Sequence, residues 1–243
     1  MTTAPLTSEP TAPELPLGGP DREAGPALRA TDLYRFFRAG DEETLALRGV
    51  SVTLHRGELL VVVGPSGSGK STLLACLCGL DEPSGGTVWV TGARMSHQPE
   101  AVRSRLRATS IGVMFQADSL FPHLSVRANV RLAQSLAPTR QLDSVHDLLA
   151  SVGLLKRAIS YPHQLSGGES ARAALAVALA NDPAVVLADE PTGELDGDSE
   201  RRLLALLVRR ASQGGAVIVA SHSPVVRRVA DRVITLEDGR LVS

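Results

Sequence analysis

Two hydrophobic rhythms alternate along this chain. Short unbroken apolar runs recur at Leu59–Val63, Ile111–Phe115, Val185–Ala188 and Ala216–Ala220. Each is brief and mostly aliphatic, as expected of strands buried on both faces of a parallel sheet. Between the runs, apolar residues return at helical spacing. Leu142, Val145, Leu149 and Val152 are three or four apart, and Gly153 suits the stop that follows. A further helix is expected from about Glu169 to Ala180, ended by Asn181-Asp182-Pro183. Leu203, Leu204, Leu207 and Val208 line another. Strands that alternate with helices predict an α/β fold around a parallel sheet. Some segments follow a different rule. Val50, Val52 and Leu54 alternate with Ser51 and Thr53, which reads as a half-buried strand. Ala27 to Leu33 and Thr87 to Val90 are further strand candidates, with Tyr34-Arg35-Phe36-Phe37 between the first two strands. Val233–Leu236, Asp238-Gly239 and Leu241-Val242 read as a closing hairpin.

The junction after Leu59–Val63 carries the clearest chemistry. Gly64-Pro65-Ser66-Gly67-Ser68-Gly69-Lys70-Ser71 fits the G-x-x-x-x-G-K-[ST] phosphate-binding pattern at every specified position. A strand precedes it, and a helix start follows at Ser71-Thr72-Leu73-Leu74. The glycines let backbone N–H groups turn inward around a phosphate, and the helix N-terminus adds partial positive charge. Lys70 is placed to reach the β- and γ-phosphates, and the Ser71 hydroxyl to ligate Mg²⁺.

Composition narrows the partners. The chain has 243 residues and a formal net charge of -1, so no overall basic field argues for nucleic acid. Aromatic residues are only 3%, too few for a base-stacking surface. Cys76 and Cys78 stand two apart on one predicted helix and point to different faces. They read as small core residues rather than a disulfide or a metal pair. Residues 1–26 hold six prolines and read as a disordered tail, with no apolar leader segment. No run of about 18 apolar residues is present to span a membrane. Arg103, Arg105 and Arg107 read as a solvated basic face.

Further candidates follow at strand ends. Asp189 and Glu190 close the run Val185–Ala188. Acids at the carboxyl end of a parallel strand lie in the crevice where such sheets bind ligands. Asp189 is suited to hold Mg²⁺ and Glu190 to act as general base. In Leu165-Ser166-Gly167-Gly168-Glu169, Ser166 as N-cap and Glu169 three residues on form a capping box. The same capped helix start also presents N–H groups to a phosphate.

With these pieces together, the chain resembles the nucleotide-binding subunit of an ABC (ATP-binding cassette) transporter. The phosphate loop, Gln116, Leu165–Glu169, Asp189-Glu190, Gly193-Glu194-Leu195-Asp196 and His222 stand in that family's order and spacing, over roughly residues 28–242. The resemblance implies a P-loop NTPase core with a parallel sheet, a small antiparallel β-subdomain and a helical signature subdomain at about 117–180. It implies ATP and Mg²⁺ as ligands. It also implies a two-chain sandwich in which Gly64–Thr72 of one subunit face Ser166, Gly167, Gly168 and Glu169 of a second copy or a similar subunit. Gln116 would then contact Mg²⁺ or the attacking water, His222 the γ-phosphate, and Asp196 would sit near the subunit boundary. The ring on adenine best matches Phe37, where the family usually has tyrosine, with Tyr34 as the rival.

The stretch Ala188-Asp189-Glu190-Pro191-Thr192-Gly193-x-Leu195-Asp196 resembles the lipoprotein-release, macrolide-export and cell-division branch. Three positions depart from the common pattern: Glu169 for glutamine, Val177 for arginine, and Glu194 for asparagine or alanine. None removes a catalytic part, so an active ATPase is expected. Such a subunit would sit on the cytoplasmic face of the membrane through a separate permease docked near residues 117–135. The alternative is a non-transport ABC ATPase of the repair or translation type. Those usually carry a coiled-coil insertion, zinc cysteines or two cassettes in one chain, and this sequence has none. A small-molecule kinase or GTPase would not need Leu165–Glu169.

Overall fold

A computed structural model of the chain describes residues 25–39, 42–115, 119–137 and 144–242. Most of the proline-rich tail, Gln116 and Leu142 lie outside the described residues.

Two sheets form the body. The first is antiparallel, with strand order β2-β1-β4-β5. It contains β1 (Leu28–Ala39), β2 (Glu42–Leu54), β4 (Gly85–Val90) and β5 (Ala93–Arg94). The second has the order β10-β9-β3-β8-β7-β6. Its strands are β3 (Leu59–Val63), β6 (Ile111–Met114), β7 (Val185–Asp189), β8 (Ala216–Ala220), β9 (Arg232–Glu237) and β10 (Arg240–Leu241). All neighbours in it are parallel except β9 and β10, which make the expected hairpin. β3 and β8 are buried at every residue, which is why both read as unbroken apolar runs. Each large aliphatic side chain removed from water there contributes about 1.5–3 kcal/mol.

The aromatic segment differs from the sequence expectation. Tyr34–Phe37 do not lie between two strands; they lie within β1, which runs on to Ala39. Its partners set that length. β1 pairs with β2 along its whole course and with β4 from Leu28↔Val90 to Tyr34↔Gly85. The β1–β2 register slips between Arg35↔Leu47 and Phe36↔Leu45, leaving Ala46 as a bulge.

The helices are α1 (Lys70–Leu77), α2 (Glu100–Ser110), α3 (Val126–Ser135), α4 (Val145–Ser151), α5 (Gly167–Ala178), α6 (Gly197–Ser212) and α7 (Pro224–Arg228); α3 and α4 pack on α5 rather than on the sheet. α5 begins at Gly167, two residues before the expected Glu169, because Ser166 caps it. It serves two cores. Leu175 and Ala178 pack toward the parallel sheet. Ala173 and Ala176 pack with Val126, Val130, Leu148 and Leu149 of α3 and α4. Val177, the departure from arginine, packs against that second cluster.

Arg103 and Arg107 do not form a solvated face. They lie one turn apart on α2, and both fold back onto protein. Arg103 pairs with Glu82 at 2.7 Å and with Glu100 at 2.8 Å. Arg107 donates to Gly79 O at 2.7 Å and pairs with Glu100. Of the three, Arg105 is the exposed one. Cys76 and Cys78 are buried and free, as expected.

Candidate functional site

The carboxyl ends of β3, β7 and β8 open into one cleft of about 1040 Å³. Strand order explains the grouping. β8 lies between β3 and β7, so the loops after all three converge. The main chain locks them together: Ser221 N–H donates to Val62 O at 3.1 Å, and Glu190 N–H to Ala220 O at 2.9 Å. The phosphate loop, Asp189-Glu190 and His222 are thereby neighbours.

The loop after β3 ends on Gly69, the N-cap of α1, at φ 102°. A Cβ at this residue would stand 2.5 Å from Ala46 O, so the antiparallel sheet touches the loop through the β2 bulge. No side chain caps α1. By contrast α3, α4, α5, α6 and α7 each carry a serine or aspartate cap. The first N–H groups of a helix have no partner within it. Those of α1 face the cleft beside Lys70, Ser71 and Thr72, which line it. This is a place prepared for an anion. The Lys70 ammonium bridges the loop, donating to Gly64 O at 2.9 Å and Pro65 O at 3.0 Å. Ser68 is buried beneath the loop rather than lining the cleft.

Asp189 and Glu190 supply the acid side. Glu190 takes a left-handed backbone, φ 45°. Such a conformation is costly for this residue type and recurs at functional sites. One of its oxygens lies 3.1 Å from His222 Nδ1. Its other oxygen, Oε2, and Asp189 Oδ1 are buried without a hydrogen-bond partner. Two orphaned carboxylate oxygens opposite a hydroxyl-bearing phosphate loop fit a hard divalent cation such as Mg²⁺. Among the described residues no cluster of three His, Cys, Asp or Glu forms a metal cage. Mg²⁺ is usually held by one or two carboxylates together with substrate phosphates.

Of the aromatic rivals, Phe37 lines the cleft and Tyr34 does not. The Tyr34 hydroxyl lies over Gly49 instead, 2.9 Å from where a Cβ would stand.

In the Leu165–Glu169 stretch the capping box is complete. Glu169 N–H donates to Ser166 Oγ at 3.2 Å, and Ser166 N–H to Glu169 Oε2 at 2.9 Å. The Ser166 N–H, with Arg157 Nε at 2.8 Å, holds the Glu169 carboxyl below the usual glutamate range. Gly167 borders the cleft, whereas Ser166, Gly168 and Glu169 do not line it. Asp196 caps α6, accepting from Ser199 N–H at 2.9 Å.

Sequence reasoning missed several contributors. Gly239, in the β9–β10 turn, donates to Ser68 O at 3.1 Å and accepts from Arg48 N–H at 2.8 Å. It staples the phosphate loop to β2. Arg157 is the partner of Glu169, and Arg35 lies against Phe37. The Gly239 and Arg157 contacts join separate segments, and Arg35 is fixed against Phe37 by Asp81, 46 residues away, so no local pattern announces them.

Comparison with known proteins agrees with this arrangement. Residues 47–193 match the ABC transporter family. The chain is 42% identical over 221 residues to a lipoprotein-releasing system ATP-binding protein, LolD, of Zymomonas mobilis, covering 88% of this chain and 94% of that one. It is 40% identical over 220 residues to a macrolide export ATP-binding/permease protein, MacB, of Shigella flexneri. That match covers 89% of this chain but 34% of the relative. Among solved structures, the dimeric bacterial ABC transporter cassette MJ0796 superposes with a TM-score of 0.82 at 31% identity, covering 89% of this chain and 97% of that one. The same cassette in a post-hydrolysis state with ADP and Pi gives 0.83. The chain therefore belongs to the ABC transporter family, as one of its ATP-binding, ATP-hydrolysing subunits.

Proposed function

We propose that this chain powers a membrane permease carried on a separate polypeptide, and that it does so as an ATP-bound pair of cassettes. The observation that carries the reading is the cleft itself: an uncapped helix start with Lys70 faces a half-buried acid pair, each acid with one buried, orphaned oxygen.

The division of labour follows from the residues. The N–H groups at the start of α1 and the Lys70 ammonium hold the phosphates. Phe37 contacts the base. Ser71 and Asp189 would hold Mg²⁺, with Gln116 as a further candidate outside the described residues. When bound, Mg²⁺ supplies charge neutralisation at the β- and γ-phosphates. Glu190 takes the proton of the attacking water, and His222 steadies the carboxylate through Oε1 and contacts the γ-phosphate.

Ser166, Gly168 and Glu169 do not line their own chain's cleft. Ser166 and Gly167 are exposed, and the helix start they form is open to complete the cleft of a second cassette, as the dimeric MJ0796 cassette encourages. Among the described residues no helix is long and apolar enough to cross a membrane. The LolD relative, covered to 94% of its length, is named as the ATP-binding protein of a lipoprotein-releasing system. Both facts favour a partner that supplies the membrane part and holds this chain at the cytoplasmic face. The names of the relatives favour export or lipoprotein extraction over repair or translation.

The test is size-exclusion chromatography of the Glu190→Gln chain with ATP and Mg²⁺, alone and with its copurifying permease. A dimer that needs ATP supports the proposal. A monomer under both conditions overturns it.

A further inference from the structure

Behind Phe37, a ring that lines the cleft, stands a charged side chain to which no function has been assigned. Arg35 stands two residues before Phe37 on β1, so both side chains rise from one face of the strand. Its guanidinium carbon lies 4.6 Å from the centre of the Phe37 ring. The guanidinium is itself held. Arg35 Nε donates to Asp81 Oδ2 at 2.7 Å, and a second nitrogen meets Asp81 Oδ1 at 2.7 Å. Both side chains are about three-quarters buried, at 24% and 26% exposure. Asp81 is fixed in turn, because its N–H donates to Ala75 O of α1 at 3.1 Å. An unbroken series of contacts thus runs from the helix of the phosphate loop, through Asp81 and Arg35, to the ring that borders the cleft.

Phenylalanine has no hydroxyl with which to anchor itself. At 42% exposure the Phe37 ring is also not wedged in place by packing. A planar guanidinium can pair with a carboxylate through its edge and cover a ring with its face at the same time, which an ammonium cannot do. We propose that Arg35, locked by Asp81, is a positioning residue for the nucleotide base: it covers one face of Phe37 and fixes the ring's place relative to the phosphate loop. The proposal rests on the reading of Phe37 as the base contact.

The experiment is calorimetric titration of the full chain with ATP and, separately, with inorganic tripolyphosphate. The variants are Arg35→Ala, Arg35→Lys, Asp81→Asn, Phe37→Ala and the Phe37→Ala/Arg35→Ala pair, each checked for folding by circular dichroism. Loss of the cation–ring contact is expected to weaken ATP about two- to fivefold in Arg35→Ala. Tripolyphosphate binding should be unchanged, because it has no base. Arg35→Lys and Asp81→Asn should weaken ATP in the same direction. Arg35→Ala should add nothing once Phe37 is alanine. Should Arg35→Ala fail to fold, Asp81→Asn carries the test. An equal loss for ATP and tripolyphosphate would make the pair a brace of the fold only and overturn the proposal. So would unchanged ATP affinity in Arg35→Ala while Phe37→Ala is impaired. If Phe37→Ala itself binds ATP normally, the base-contact reading fails first, and this proposal fails with it.

Discussion

His222 Nδ1 and Glu190 Oε1 lie 3.1 Å apart, although the residues end different strands. The ring is 74% exposed and the carboxylate 14%. A solvent-facing imidazole thus holds one oxygen of a sheltered carboxylate, whose other oxygen is buried without a partner. Glu190→Gln keeps the shape and removes the proposed base. Phosphate release should fall by a factor on the order of 10²–10⁴ while ATP still binds. His222→Ala should cost less, since the carboxylate remains. Near-normal turnover in Glu190→Gln would remove the residue from its assigned role.

Glu169 makes acid sensitivity predictable. The Ser166 N–H, and after it Arg157, lower its folded-state pKa. A lowered carboxyl contributes stability that is fully present above the ordinary glutamate value, about 4.3. That contribution is lost as pH falls through the lowered value. Glu169→Gln can still accept the Ser166 N–H but cannot ionise. Urea midpoints measured from pH 7 down to 3 should therefore decline less steeply at the acid end in the variant. Parallel curves would show that the charge of Glu169 contributes nothing.

The two thiols should be silent in the native protein. Burial pushes Cys76 up to about 12 and Cys78 up to about 11. The thiolate is the reactive form, so alkylation at pH 8 should be negligible until the chain unfolds, and then both should react. Rapid labelling of either under native conditions would show that α1 opens more readily than its packing indicates.

Phe121 is 54% exposed, yet its main chain is rigidly held. Asn129, itself buried, accepts from Phe121 N–H at 2.8 Å and donates to Phe121 O at 3.2 Å and Leu124 O at 3.1 Å. An apolar ring on a fixed pedestal suits an interface anchor. Phe121→Asp should lose pull-down of the permease with ATP binding intact. If every charge substitution across the described part of 117–135 retains the permease, the docking face lies elsewhere.

What the sequence made legible was local. The phosphate loop needed one strand, one turn and one helix in succession, and the Ser166–Glu169 box needs only three residues. Asp189-Glu190 were placed because parallel strands end on one side of a sheet. The rest depends on partners far along the chain. Arg35 meets Asp81 across 46 residues, and Gly239 finds Ser68 through the closing hairpin. β1 outran its expected end because β2 follows it throughout, with β4 beside its first half. Reading Arg103 and Arg107 as solvated failed for the same reason, since Glu82 and Gly79 lie on another segment. Between Phe37 and Tyr34 the residues alone could not choose. The fold brings Phe37 to the cleft and turns Tyr34 toward Gly49. Gln116 lies outside the described residues.

One backbone oxygen sets a dimension of this enzyme. Ala46 O sits against both Gly69 and Gly239, where a Cβ on either would come within 2.5 Å and 2.6 Å of it. The ring and the phosphate loop belong to different sheets, and this oxygen is one of the points where those sheets abut. The span from Phe37 to the phosphate loop is thus gauged by main chain against main chain, a calliper whose jaws no side chain at residue 46 can adjust. Ala46 should tolerate exchange for other small residues, whereas a methyl group at residue 69 or 239 would open the calliper and misfit the nucleotide's length.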